Sequence, residues 1–199
     1  MTVILSTTSV ILALLLALVW ARKRWGGFTA QRPEDYTGID GPAFDLRRHL
    51  DGPLICDGVI YGPLGRVTSR FYAQINCTWD GDTGVMDELF VYDDGSQQTR
   101  AWALTCHADG HVCATAGDVV GTAQGVTCGP AFQMRYRIRL ADELGGHVLR
   151  AVDWMYLTPN GTITNRSQFY KLGICVAELV ATIRCADGGA QIKPTGGTT

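Results

Sequence analysis

The sequence predicts a mainly β protein, an antiparallel up-and-down barrel of about eight to ten strands behind a single N-terminal transmembrane helix. Three observations carry this. In residues 131–140, Phe132, Met134, Tyr136, Ile138 and Leu140 alternate with Gln133, Arg135, Arg137 and Arg139, and the odd positions from Val67 to Trp79 are mostly apolar between polar neighbours. A two-residue period marks a strand with one buried face. Turn pairs recur at short intervals, at Asp80-Gly81-Asp82, Asp94-Gly95, Asp109-Gly110, Gly145-Gly146 and Asn160-Gly161, and supply the positive φ angles of tight hairpins. Finally, Val3 to Ala21 carries no charge.

Residues 1–25 form the expected membrane anchor with its basic flank. The charge-free run extends about 28 Å as a helix, close to the ~30 Å hydrocarbon core, and Trp20 and Trp25 suit the interface. No basic residue precedes the run, whereas Arg22, Lys23 and Arg24 follow it. That order opposes a cleaved signal peptide and places the following domain on the cytoplasmic side, the opposite face being the alternative.

Residues 26–43 make a polar, Gly- and Pro-containing linker. Residues 44–50 then form a short helix or turn, with Phe44, Leu46 and Leu50 as plugs. Strands are expected at 54–61, 67–79, 85–92, 97–107, 111–117, 119–126, 131–140, 147–157, 163–170 and 174–184, the last with a closing helix as the alternative. The barrel so defined occupies 44–185, and 186–199 is a disordered tail. Short sequential turns favour a meander that closes on itself over a two-sheet sandwich, because closure removes the free edges.

At 199 residues and 46% apolar composition, the chain supports one well-buried core. Residues 1–32 hold four basic groups and no acid, which leaves the remainder near −6 against the chain's −2. An acidic domain disfavours nucleic acid as a partner. Seven cysteines in a domain this size are most simply reduced and buried. A two-residue Asp109-Gly110 turn would set Cys106 opposite Cys113 with His111 on the same face, a geometry that suits zinc or a cross-strand disulfide; neither a metal nor a cofactor is expected. No Ser-His-Asp arrangement, phosphate loop or dinucleotide fingerprint is present. Arg135, Arg137 and Arg139 stand on the wet face of one strand, either to pair with acids on neighbouring strands or to meet anionic headgroups.

Four blocks concentrate polar and aromatic residues: DELFVYDDG at 87–95 with Arg100-Ala101-Trp102, DVVGTAQG at 118–125, DWMYL at 153–157, and NRSQFYKLG at 165–173. In this order they resemble the bacterial family catalogued as domain of unknown function 3833, over roughly 44–183. The resemblance implies a lipocalin-like barrel, usually tethered to a membrane, with no assigned reaction and an association with fatty-acid modification; the anchor segment places this chain at the bacterial inner membrane. The chain departs from lipoprotein members in having no cysteine before Cys56.

Candidate ligand-binding residues come from these blocks. Glu88 and Asp153 supply acids, Arg100 and Arg166 bases, and Phe90, Trp102, Trp154 and Tyr156 apolar walls. Arg166 is the preferred anchor for a carboxylate or phosphate because its planar fork fits either, while Asp118 is read as a turn residue. Two readings stay open: a satisfied network that fixes barrel register, or the lining of a cavity. The favoured function is a membrane-anchored barrel that binds an apolar, lipid-like or fatty-acid-like ligand. The alternative is an accessory subunit docked on a larger membrane protein complex. An enzyme acting on a fatty acid ranks last, since nothing in the spacing places an acid–base pair in reach.

Overall fold

A computed structural model describes residues 2–186, with side chains from Ser9 onward except at 23 and 24; from residue 187 on, the expected tail lies outside the described residues. The chain divides into two compact units, Met1–Asp35 and Tyr36–Thr199. In the first, helix α1 runs over Thr2–Trp25 and a 3-10 turn follows at Phe28–Ala30. Trp20 and Trp25 meet edge to face at 5.7 Å. Among the described residues no helix is long and apolar enough to cross a membrane.

The second unit is a barrel of ten antiparallel strands: β1 Gly52–Tyr61, β2 Val67–Asp80, β3 Thr83–Tyr92, β4 Gln97–Cys106, β5 His111–Ala116, β6 Ala123–Cys128, β7 Ala131–Arg139, β8 Val148–Leu157, β9 Ile163–Lys171 and β10 Ile174–Cys185. Each pairs with the next and β1 closes on β10, from Leu54↔Cys185 to Tyr61↔Glu178. Residues 174–184 therefore form a strand and not a helix. The expected strand at 119–126 starts later. Val119 makes only an isolated bridge to Ile138, and Gly121 turns the chain with φ 80° before β6 begins.

Alternation sets the core. Phe71, Ala73, Ile75 and Cys77 of β2 and Phe132, Met134, Tyr136 and Ile138 of β7 are buried inside the barrel. Close packing reaches the backbone at Gly58, where a Cβ would stand 2.6 Å from the Phe71 ring and 2.8 Å from Ala181.

One end of the barrel is plugged. Helix α2 (Leu46–His49) is capped by Asp45, whose carboxylate accepts the Arg47 N–H at 3.0 Å. It buries Phe44, Leu46 and Leu50 against the strands. Phe44 stacks on Phe132 at 6.0 Å, its N–H donates to Gly129 O at 2.8 Å, and the Trp79 indole donates to Leu50 O at 2.7 Å. At the other end, where turns 62–66, 93–96, 117–122, 140–147 and 172–173 gather, Ile60, Phe90, Tyr92, Phe169 and Leu179 are only partly buried.

The register of β4 and β5 overturns the expected Cys106–Cys113 pair. Cys106 faces Val112 and Cys113 faces Thr105, because His107 closes a longer turn by donating to His111 O at 2.8 Å and accepting from Gly110 N at 3.0 Å. One residue of slip sends neighbouring side chains to opposite faces. All seven cysteines are free, and among the described residues no cluster of His, Cys, Asp and Glu could hold a metal.

Candidate functional site

The polar side chains that face inward gather on β3, β4, β7, β8 and β9. Glu88 and Arg100 are direct cross-strand partners, with a guanidinium nitrogen 3.9 Å from Glu88 Oε2. Arg100 also donates Nε and a terminal nitrogen to Asp118 Oδ2 at 3.0 and 2.7 Å and lies 5.7 Å from the Trp102 ring centroid. Across the lumen, Asp153 faces Ser167 and Met134. Ser167 donates to Asn165 Oδ1 at 3.3 Å, and Asn165 donates to Trp154 O at 3.1 Å. Tyr136 packs edge to face on Trp102 at 5.4 Å.

Three acids meet here with one guanidinium. Glu88 Oε2, Asp118 Oδ1 and Asp153 Oδ1 are buried oxygens without a hydrogen-bond partner. Burial pushes the Glu88 carboxyl up to about 7, against the opposing pull of Arg100 and a hydrogen bond from Trp102. It pushes Asp153 up to about 6, against hydrogen bonds from Ser167 and Tyr136, and raises the Tyr136 phenol well above its ordinary value. Bare acceptors in a low-dielectric interior are costly and ask for a partner. The side chains of Glu88, Arg100 and Asp118 keep 10%, 16% and 24% exposure although they lie within the barrel wall.

Of the expected site residues, Glu88, Phe90, Arg100, Trp102 and Asp153 are brought together on the inner surface. Trp154, Tyr156 and Arg166 are not, because they alternate with Asp153, Met155, Asn165 and Ser167 along their strands and face outward. There Tyr36 covers the two aromatics, with ring centroids 5.1 Å from Trp154 and 5.5 Å from Tyr156. Trp154 and Tyr156 stack at 5.9 Å. Arg166 forks onto Glu178, with both bonds at 3.1 Å, so its guanidinium is engaged on the outer wall. Asp118 lies in the turn between β5 and β6, as its sequence context indicates, and from there its carboxylate accepts from Arg100. Tyr136, Asn165 and Ser167 went unnoticed as site residues; their parity with Met134 and Ile163 was the available signal.

The outer wall carries a second electrostatic imbalance. Arg137 of β7 stands directly opposite Arg150 of β8, between Arg135 and Arg139. The facing positions on β6 and β8 are Gln124, Val152 and Val148, and Asp118, whose backbone O accepts the Arg139 N–H at 2.7 Å, gives its carboxylate to Arg100 and not to the stripe. Arg135 donates to Gln133 Oε1 at 3.1 Å and Arg150 lies over the Tyr170 ring at 4.4 Å.

Comparison with solved structures shows the same fold at low identity. The S-type phycobiliprotein lyase CPES from Guillardia theta aligns with a TM-score of 0.50 and 7% identity, over 70% of this chain and 89% of that one. A protein of unknown function from the DUF3598 family of Nostoc punctiforme PCC 73102 aligns with a TM-score of 0.51 and 11% identity, over 75% of this chain and 53% of the other. No curated protein matches the chain. Residues 24–185 match the family described as "Protein of unknown function (DUF3833)", and the chain belongs to that family.

Proposed function

We propose that the barrel binds an amphiphilic, lipid-like molecule in its lumen, with the apolar body between Phe90 and the half-buried side chains of the open end and the polar head on the floor formed by the acids and, beneath Glu88 and Arg100, Trp102. One observation carries the choice of head group. Three carboxyls, each with a buried and unpartnered oxygen, share a single guanidinium. A head with N–H or O–H donors, neutral or cationic, supplies the missing partners, whereas a carboxylate adds a fourth acid to a site already short of cations. A free fatty acid is therefore the poorer fit, and Arg166, spent on Glu178 outside, offers it no anchor.

The same reading keeps the barrel tethered at a bilayer. Its support is the sequence alone: the run from Val3 to Ala21 carries no charge, which fits a single span with Arg22, Lys23 and Arg24 and the barrel on the cytoplasmic face. A short tether holds the mouth at high effective concentration over membrane lipids.

Mass spectrometry of small molecules released from the gently extracted full chain tests this. A stoichiometric amphiphile with an amine, amide or hydroxyl head is expected. A stoichiometric fatty acid overturns the head-group assignment, and a stoichiometric protein partner without any small molecule favours an accessory subunit instead.

A further inference from the structure

The turns at the open end expose apolar side chains that the barrel does not use. Leu64 in turn 62–66 is 85% exposed and Leu172 in the β9–β10 turn is 96% exposed, with Val67 and Ile174 exposed beside them. Because β1 pairs with β10, these two turns are neighbours on the rim. Leu144 and Val148 add two more exposed aliphatics on the β7–β8 connection. Among the described residues of the barrel unit, Ile39 and Val85 are the large exposed aliphatics away from this end.

Leu172 adds a second, independent observation. It has φ 51° and precedes Gly173 at φ 81°, the pair of left-handed residues that a mirror-image hairpin turn requires. That position favours Asn, Asp or Gly, and leucine is strained there. A strained side chain that buries nothing contributes no stability, and a broken local rule of this kind marks function. Arg66 and Lys171 flank the two leucines and neither turn contains an acid; the exposed acids of this end, Asp93, Asp94, Asp142 and Glu143, stand in turns 93–96 and 140–147. On this side of the rim, apolar tips beside cations fit a lipid–water interface with negative charge.

We infer that this side of the rim, led by Leu172 and Leu64, docks into the surface of an anionic phospholipid bilayer and presents the mouth of the lumen to it. The docking stands apart from the identity of the ligand, since it rests on the rim alone.

Hydrogen exchange of the full chain tests it, comparing vesicles of phosphatidylcholine and phosphatidylglycerol with the same chain held in amphipol. Amides in 64–67 and 172–174 should slow by about fivefold or more in the vesicles, while turns 80–83 and 107–111 at the plugged end stay unchanged. Leu172→Asn suits the turn and preserves the fold, so it should abolish the slowing at 172–174. Equal exchange at the rim in both settings, slowing at the plugged end instead, or full protection in Leu172→Asn would overturn the inference.

Discussion

Arg100 commits both its Nε and a terminal nitrogen to one oxygen of Asp118, at 3.0 and 2.7 Å, and leaves the other oxygen of that carboxylate bare. The same guanidinium is the cation that Glu88 faces across the strand pair. Removing it strands two largely buried carboxyls together. Arg100→Leu should therefore cost about 3–5 kcal/mol at neutral pH, read as a lower urea midpoint with an unchanged slope. An effect under about 1 kcal/mol, the value of an exposed pair, would place the cluster in water.

The buried acids also set a pH dependence. The folded-state values of Glu88 and Asp153 are raised to about 7 and about 6 by burial, so the folded chain holds protons that the unfolded chain has released. Their stabilisation is whole below about pH 4 and is lost as pH rises to about 7. Arg100 and Asp118 face Glu88, and Tyr136 and Ser167 face Asp153. Glu88→Gln should flatten the decline between pH 5 and 8 by on the order of 2 kcal/mol. Melting curves at the two pH values check this, and an unchanged decline would show that Glu88 ionises freely.

The parity of the strands explains how much of this was legible. Alternation in β2 and β7 and the turn pairs marked ten strands in order, and the apolar residues at 44, 46 and 50 marked the plug. The site was only half legible. Asp153 and Trp154 are neighbours in a strand and must face opposite ways, so a block such as DWMYL divides between lumen and outer wall. The outer half looked like a lining because Trp154 and Tyr156 are aromatic, and what covers them is Tyr36, which lies over 100 residues earlier. The β4–β5 slip was hidden for a related reason: Ala108-Asp109-Gly110 forms the turn, not Asp109-Gly110 alone, and one residue reverses every facing pair.

Arg137 and Arg150 oppose each other without an acid between them. Like charges directly across a strand pair destabilise, so Arg137→Glu should stabilise the fold by about 0.5 kcal/mol at low salt, and by less as salt screens the charges. Denaturation at two ionic strengths measures it. A loss of stability would mean that the stripe already has a partner.

Leu172 occupies a left-handed position at φ 51°. Leu172→Asn should raise stability by about 0.5–1 kcal/mol, since asparagine tolerates that conformation and no buried surface is lost. A fall in melting temperature would mean that the leucine packs in solution.

The lumen itself is tested most directly by quenching of Trp102, which lies beside Glu88 on the inner wall. With the full chain in lipid nanodiscs, a long-chain amine brominated next to its head group should quench saturably, and the matching carboxylate about tenfold more weakly, a difference of about 1.4 kcal/mol. Trp102→Phe should remove the saturable component. Saturable quenching that survives Trp102→Phe, or none in the native chain, would contradict a ligand within the barrel.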